Sequence, residues 1–338
     1  MQENGAVNSR PGRRVTSAEV AREAGVSRAT VSYVLNDVAG QSIPANTRKR
    51  VRDAARRLGY TPSASARALR TGKSPIVLCL LPDWSLPRAT TDAVRMLTRA
   101  FEARNLVLVA FYLTGDNDPE LLWASLNPTA VLVFDQVGAA QLRRMTAAGV
   151  NHVASFEPAV DPAVQRLQID QSRTGGIQAS HLIARGHRRL AYAWPEDART
   201  QGFAANRLRG VREECLRQGL PEPTVVNVPL DADTAAATVR SLHASGVTAV
   251  CAYDDDIALT LLAGARICGV AVPEEFAIIG VDDVPAAAMA YPPLSTVAYD
   301  YGEYVEFFAE AVLCALEGTP PPPEPGADAM RLIHRRTT

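Results

Sequence analysis

The sequence predicts an α/β chain, a small all-α head joined to a core of doubly wound parallel sheets. Three observations predict it. Residues 1 to 74 hold 14 Lys and Arg against 5 Asp and Glu, a net +9, whereas the other 264 residues hold 21 against 31, a net −10. Within the basic part, apolar residues recur at helical spacing. After Pro75, short apolar runs alternate with helical stretches, the pattern of βαβ units. At 338 residues the chain is about twice the size of one ordinary domain. Its 47% apolar and 21% charged content excludes a wholly disordered or collagen-like chain.

In the head, Thr16-Ser-Ala-Glu19 is a capping box, so a helix starts at Ser17. Val20, Ala21 and Ala24 share one face, and Gly25 supplies the positive φ at which that helix stops. Ser27 caps a second helix, Arg28 to Leu35, with Val31, Val34 and Leu35 as its apolar side. Arg28, Ala29, Ser32 and Tyr33 point elsewhere. Two short helices around Gly25-Val26 make a helix-turn-helix, whose second helix enters the major groove with its first residues at base edges. Arg28 is the expected reader. A third helix begins near Pro44, buries Val51, Ala54, Ala55 and Leu58, and ends before Gly59. Its Arg48, Lys49, Arg50, Arg52, Arg56 and Arg57 form a basic face that either meets phosphates or is simply solvated. Ser63 to Arg70 spans only one or two helical turns, too short to hold alone, and is expected to order on DNA beside a second copy.

The core is expected to hold eight strands: Ile76 to Leu81, Leu106 to Phe111, Ala130 to Phe134, His152 to Phe156, Leu190 to Trp194, Val225 to Val228, Ala249 to Tyr253 and Ala277 to Val281. Ligands of such sheets bind beyond the carboxyl ends of strands. Trp84, Phe111 and Phe156 lie at or just after strand ends, where an aromatic ring either stacks on a sugar or nucleobase or belongs to the core. Pro320 to Pro325 is a stiff connector.

The strings VTSAEVAREAGVSRATVSYVLND and SIPANTRKRVRDAARRLGYTPSASARALRTGKS resemble the DNA-binding head and hinge of the LacI family of bacterial transcription regulators. Asp170, Gly175-Gly176, His181 to Arg189, Arg207-Leu-Arg-Gly210, Asp254 to Asp256, Gly280 to Asp283 and Tyr291 to Thr296 resemble landmarks of that family's effector core. The resemblance is dense in the head and in the second lobe, and thin between Asp116 and Val150. It implies a helix-turn-helix head on a two-lobed, periplasmic-binding-protein-like core. The implied domains are a basic arm (1–14), the head (15–60), a hinge (61–74) and the core (75–338). Within the core, 75–170 with 295–318 form the first lobe, and 171–294 with 319–338 the second.

By the same resemblance, Thr16, Ser27, Arg28, Ala29, Thr30, Ser32, Tyr33 and Asn36 of the head and Ser63, Arg67 and Leu69 of the hinge are expected at DNA. Leu69 matches a leucine that wedges into the minor groove. Tyr33 stands where the family usually has Arg, and Ser63 where Asn is common. The implied effector residues are Trp84, Phe156, Gln201, Phe203, Arg207, Asp255 and Asp282, with Arg207 and Asp282 facing each other across a cleft. Implied partners are double-stranded operator DNA, a sugar or nucleobase-like effector and a second copy in a homodimer.

Other chemistry finds little support. Asp254 to Asp256 read as a helix N-cap or a metal site, and Asp116-Asn-Asp118 lacks the Gly and Glu of a calcium loop. No nucleophile elbow, phosphate loop or dinucleotide fingerprint occurs, so neither an enzyme nor a cofactor is expected. No run reaches the ~18 apolar residues of a membrane span. The opening residues lack a signal-peptide core and the five cysteines are unpaired by spacing, so the expected setting is the cytoplasm, at the nucleoid. Three readings follow: an effector-gated regulator, a DNA-binding protein whose core answers to a protein partner or to nothing, and an enzyme or receptor fused to a basic head.

Overall fold

The computed structural model describes residues 15–35, 42–60, 74–82, 88–114, 119–134, 137–156, 161–197 and 200–338. The chain falls into two compact units, Met1–Ser74 and Pro75–Thr338.

The first unit contains α1 (Ser17–Ala24), α2 (Arg28–Leu35) and α3 (Ala45–Leu58). The capping box closes the start of α1: Glu19 Oε2 accepts from the Thr16 N–H at 2.7 Å and from its hydroxyl at 2.9 Å. Gly25 (φ 62°) and Gly59 (φ 63°) end α1 and α3 in the left-handed region, where a Cβ is strained. Ser27 Oγ accepts from the Thr30 N–H at 3.1 Å, which caps α2. The three helices close on Val20, Ala21, Ala24, Val31, Val34, Val51, Ala54 and Ala55. These are short side chains, so the helices sit close and the opposite side of α2 stays outside.

In the second unit, a five-stranded sheet has the order β2-β1-β3-β4-β5, all parallel: β1 Ile76–Pro82, β2 Val107–Leu113, β3 Ala130–Val133, β4 Val153–Ser155 and β5 Gln165–Arg166. A six-stranded sheet has the order β11-β10-β9-β8-β6-β7, with β6 Leu190–Pro195, β7 Thr224–Val228, β8 Ala249–Ala252, β9 Ala277–Val281, β10 Ser295–Tyr299 and β11 Met330–Ile333. Only β11, on β10, is antiparallel among these pairs. β3, β8, β9 and β10 are buried along their whole length, as strands covered on both faces must be. One apolar cluster runs from Cys79, Leu132 and Phe156 through Phe308 and Tyr304 to the second sheet. The helix Gln171–Ala184 lies on Gln201–Arg217 at backbone contact. A Cβ on Gly210 would meet Ser172 O at 1.7 Å, and one on Gly175 would meet Arg207 O at 2.0 Å.

The eight expected strands are present, each within two residues of its expected ends; β11 falls in Met330 to Arg336, which resembles the closing strand of the LacI family, and β5 and β10 were not expected. β5 has two residues and no alternation to read. The assignment of 295–318 to the first lobe needs correction. Residues 295–299 are β10, which carries β11 and completes the second sheet, and only the helix after it, Tyr301–Glu317, goes to the first sheet, against the helix Arg88–Glu102. No described helix is long and apolar enough to cross a membrane.

Candidate functional site

α2 leaves Arg28, Ala29 and Tyr33 exposed on one side, with Ser32 half-buried beside them. Residues 28, 29, 32 and 33 form one stripe because four positions return to the same helix face. The Thr30 hydroxyl is held 2.9 Å from Ser27 Oγ, so it serves the cap. On α3 part of the basic face is tied to the protein: Arg56 bonds Asp53, Arg57 reaches Glu23 of α1 at 3.0 Å, and Arg48 Nε donates to Ile43 O at 3.2 Å. Lys49 and Arg50 are exposed. Asn36, Ser63, Arg67, Leu69 and Trp84 lie outside the described residues, as does Asp116-Asn-Asp118.

The core site is built around Arg207, which is only 5% exposed on the helix Gln201–Arg217. Its Nε donates to Gln171 Oε1 at 2.6 Å and its Nη1 to the Tyr253 carbonyl, while the guanidinium lies 4.6 Å from the centre of the Tyr253 ring. Burial opposes the Arg207 charge, but Tyr299, Tyr253 and Asp282 around it more than compensate and raise its pKa. Asp282 follows β9 in the left-handed region (φ 103°), and Asp283 follows it there (φ 50°). Two such non-glycine residues in succession are strained, and strain of this kind gathers at binding sites. Asp282 Oδ1 accepts from Tyr301 Oη at 3.3 Å, and burial raises its pKa against the pull of Arg207. Thr174 Oγ1 and Tyr299 Oη share a hydrogen bond of 2.9 Å. Asp254 caps the helix Asp255–Cys268 by accepting from the Ile257 N–H at 2.9 Å, and burial pushes its carboxyl up to about 6.

Beside this cluster opens a cavity of about 470 Å³ with the Phe156 and Phe203 rings in its wall and Gln168, Gln171 and Asn206 among its polar groups. Gln171 belongs to both, lining the cavity and bonding Arg207. Phe156 is stacked on Phe134 at 4.0 Å and meets the edge of Phe308 at 5.2 Å, so one ring serves both core and cavity. Arg166, Arg173 and Arg209 stand around the same opening with Asp170 and Glu324.

Phe156 and Phe203 are thus brought together in the cavity, and Arg207 with Asp282 in the cluster. Arg207 and Asp282 both belong to the second sheet and its helices, where their charges attract each other and the carboxylate also accepts from Tyr301. Two expectations change. Asp255 turns inward with no exposed surface: Oδ1 accepts from Thr296 Oγ1 at 2.7 Å and Oδ2 from the Val284 N–H at 2.9 Å. One oxygen thus holds the loop after β9 and the other the start of β10, and burial pushes its carboxyl up to about 7. Gln201 is exposed at the start of its helix. Sequence reasoning missed Gln171, Tyr253, Tyr299 and Tyr301. Tyr253 follows β8 directly and was within reach of the strand-end rule, whereas Tyr299 and Tyr301 flank the end of the unexpected β10. Among the described residues no group of three or more His, Cys, Asp or Glu could hold a metal ion.

A helix-turn-helix with a bare reading face, and a two-sheet core with polar and aromatic groups gathered at strand ends, define a DNA-binding regulator with a ligand-binding type of core. The bacterial regulatory protein, lacI family, profile matches residues 16–63, and a periplasmic binding protein-like domain matches 179–338. The HTH-type transcriptional regulator GntR of Pseudomonas aeruginosa is 31% identical over 323 residues, covering 92% of each chain. The HTH-type transcriptional regulator CelR of Thermobifida fusca is 31% identical over 309 residues, 84% of this chain and 87% of CelR. The chain belongs to the LacI family of transcriptional regulators, and is not an enzyme. Among solved structures, a lac repressor dimer bound to operator and the anti-inducer ONPF aligns with a TM-score of 0.74 at 20% identity, over 96% of this chain and 99% of that one. A transcriptional regulator CelR–cellobiose complex aligns with a TM-score of 0.67 at 26% identity, over 96% and 100%.

Proposed function

We propose that the chain is a repressor that binds a palindromic operator as a homodimer and is gated by a sugar or nucleobase-like effector in the core cavity. The observation that carries the reading is the pairing of an exposed α2 stripe, Arg28, Ala29 and Tyr33, with the Arg207 cluster beside an aromatic-walled cavity. The operator-bound lac repressor dimer and the cellobiose-bound CelR support the two halves of the reading. Arg28 reads a base edge, and Ala29 offers a methyl contact. Thr16, Ser27 and Thr30 sit at phosphates, Ser32 and Tyr33 farther along the groove, and Asn36 beyond α2. The head ends at residue 60, and 61–74 form a hinge with Ser63, Arg67 and the wedge Leu69. Two copies present two heads to a two-fold site, and the effector changes how the hinges pair.

The test is selection of bound sequences from random duplex DNA by the full-length chain, repeated with cellobiose, other sugars and nucleobases. A palindromic site whose recovery one compound alters is the expected outcome. Arg28→Ala should cost about 1–3 kcal/mol of operator affinity and relax one base position. An equal loss on random DNA would make Arg28 a phosphate contact. A second reading, a core that answers to a protein partner or to no ligand, is favoured by the closure of Arg207 on Gln171 and Tyr253. A palindromic site that no compound affects would select it.

A further inference from the structure

We propose that Gln178 is a positioning residue of the effector site, fixing the separation of the two strand ends that carry Asp254 and Asp282. The proposal rests on the effector reading above. Gln178 lies midway along the helix Gln171–Ala184 with no exposed surface, among Ala179, Leu182 and Ile183 on the buried side of that helix. Its Nε2 donates toward three backbone carbonyls, Ala252 at 2.8 Å, Gly280 at 3.2 Å and Ile279 at 3.3 Å. Turning the amide over would set Oε1 against those carbonyls, acceptor against acceptor, so its neighbours fix its orientation. Oε1 is left without a partner, and is the one such buried side-chain atom found among the described residues.

A buried acceptor with no donor is destabilising, and leucine or methionine would fill nearly the same space without it. The stability lost is therefore tied to something only the amide does. The β8–β9 ladder has its last pair at Cys251 and Ile279. Beyond it the strands part: the Tyr253 N–H turns to Ala193 O on β6 at 3.1 Å, and the Asp282 N–H to Val297 O on β10 at 2.9 Å. The Gln178 amide reaches across this divergence and ties Ala252 to Gly280, each two residues before a carboxylate of the site. That tie sets where Asp254 and Asp282 stand relative to each other and to Arg207. It also supports the backbone just before Asp282 and Asp283, which are held at positive φ.

The test uses the full-length chain with ¹³C at the aspartate carboxyl carbons, titrated by NMR beside Gln178→Leu and Gln178→Met and unfolded with denaturant. Assignments come from Asp254→Asn and Asp282→Asn. Both Gln178 variants are expected to fold with some loss of stability, because relief of the unpaired Oε1 is set against the loss of the donor to the Ala252 and Gly280 carbonyls. The Asp254 midpoint, raised to about 6 by burial and by Asp282 and Asp256 against the pull of Arg207, should fall by about one to two pH units toward the ordinary value of about 4 as the strand ends part and admit water. Asp255, held by Thr296 and Val284, should keep its midpoint. Unchanged Asp254 and Asp282 midpoints with reduced stability would overturn the proposal and leave Gln178 a structural prop. Failure of both variants to fold would overturn it as well. The titration needs no effector, so its result is separate from whether any compound gates DNA binding.

Discussion

The first sheet hides its strands behind Leu78, Leu80, Trp123, Val131, Val133 and Met145, with Thr129 and Ser155 as small buried polar side chains, whereas the second hides the larger polar set Thr174, Gln178, Arg207, Asp255, Ser295 and Thr296 among its apolar residues. The two sheets share a winding pattern and differ in what they enclose. Apolar burial in the first is non-directional, and volume is what it must conserve. In the second, each buried polar group demands a partner, so the groups fix one another: Thr174 with Tyr299, Asp255 with Thr296 and Val284, Arg207 with Gln171 and Tyr253. The comparison teaches that the second sheet defines a geometry, while the first supplies a frame that tolerates sequence drift. That matches the thin resemblance between Asp116 and Val150.

Substitutions can break this contrast. Trp123→Ala in the first sheet's core should cost about 3–5 kcal/mol in denaturant unfolding while leaving the Asp254 titration untouched, and a moved titration would mean the sheets are not separable. Gly210→Ala should cost about 1–3 kcal/mol or more, because a Cβ there enters Ser172 O and the two helices must separate; a neutral result would show that their contact relaxes freely. Asp255 gives a pH signature. Its folded pKa, about 7, lies above the unfolded ~3.9, so its stabilising contribution is complete below about pH 4 and is lost as pH rises through 7. Half-buried His181, lowered to about 4, works in the opposite direction, so the readout is the difference from Asp255→Asn. The parent's advantage over the variant should shrink by up to about 1.4 kcal/mol per pH unit between pH 4 and 7, and a constant gap would mean Asp255 does not titrate there. Thr174→Val, which removes one buried hydrogen bond to Tyr299, should cost about 1 kcal/mol, with no change at the first sheet's amides by hydrogen exchange.

Much of this was legible in the sequence where the signals are local. The Thr16 to Glu19 box, Gly25, Ser27 and Gly59 each announce a helix end within a few residues, and α1, α2 and α3 follow from them. Arg207 and Asp282 were visible through neighbouring landmarks. Their partners were not. β10 begins with two hydroxyl residues that look like loop, and partners about forty residues away on either side make them buriable: the Ser295 hydroxyl accepts from the Arg335 N–H at 2.9 Å and lies 2.8 Å from the Thr338 hydroxyl, and Thr296 donates to Asp255. With β10 hidden, Tyr299 and Tyr301 had no strand end to belong to. Asp254, Asp255 and Asp256 were indistinguishable in sequence, because about 100° of helix rotation per residue, which no composition reveals, sends one to the cap, one inward and one to solvent.

The glycine contacts between the helices Gln171–Ala184 and Gln201–Arg217 carry a mechanical consequence. Backbones that touch at Gly175 and Gly210 leave no side-chain layer to slide on, so the pair behaves as one stiff plate carrying Gln171, Gln178 and Arg207 together. Shear within the second lobe is thereby suppressed. Any opening of the core falls on the chain's three passages between the sheets, after Arg166, after Tyr299 and before Met330.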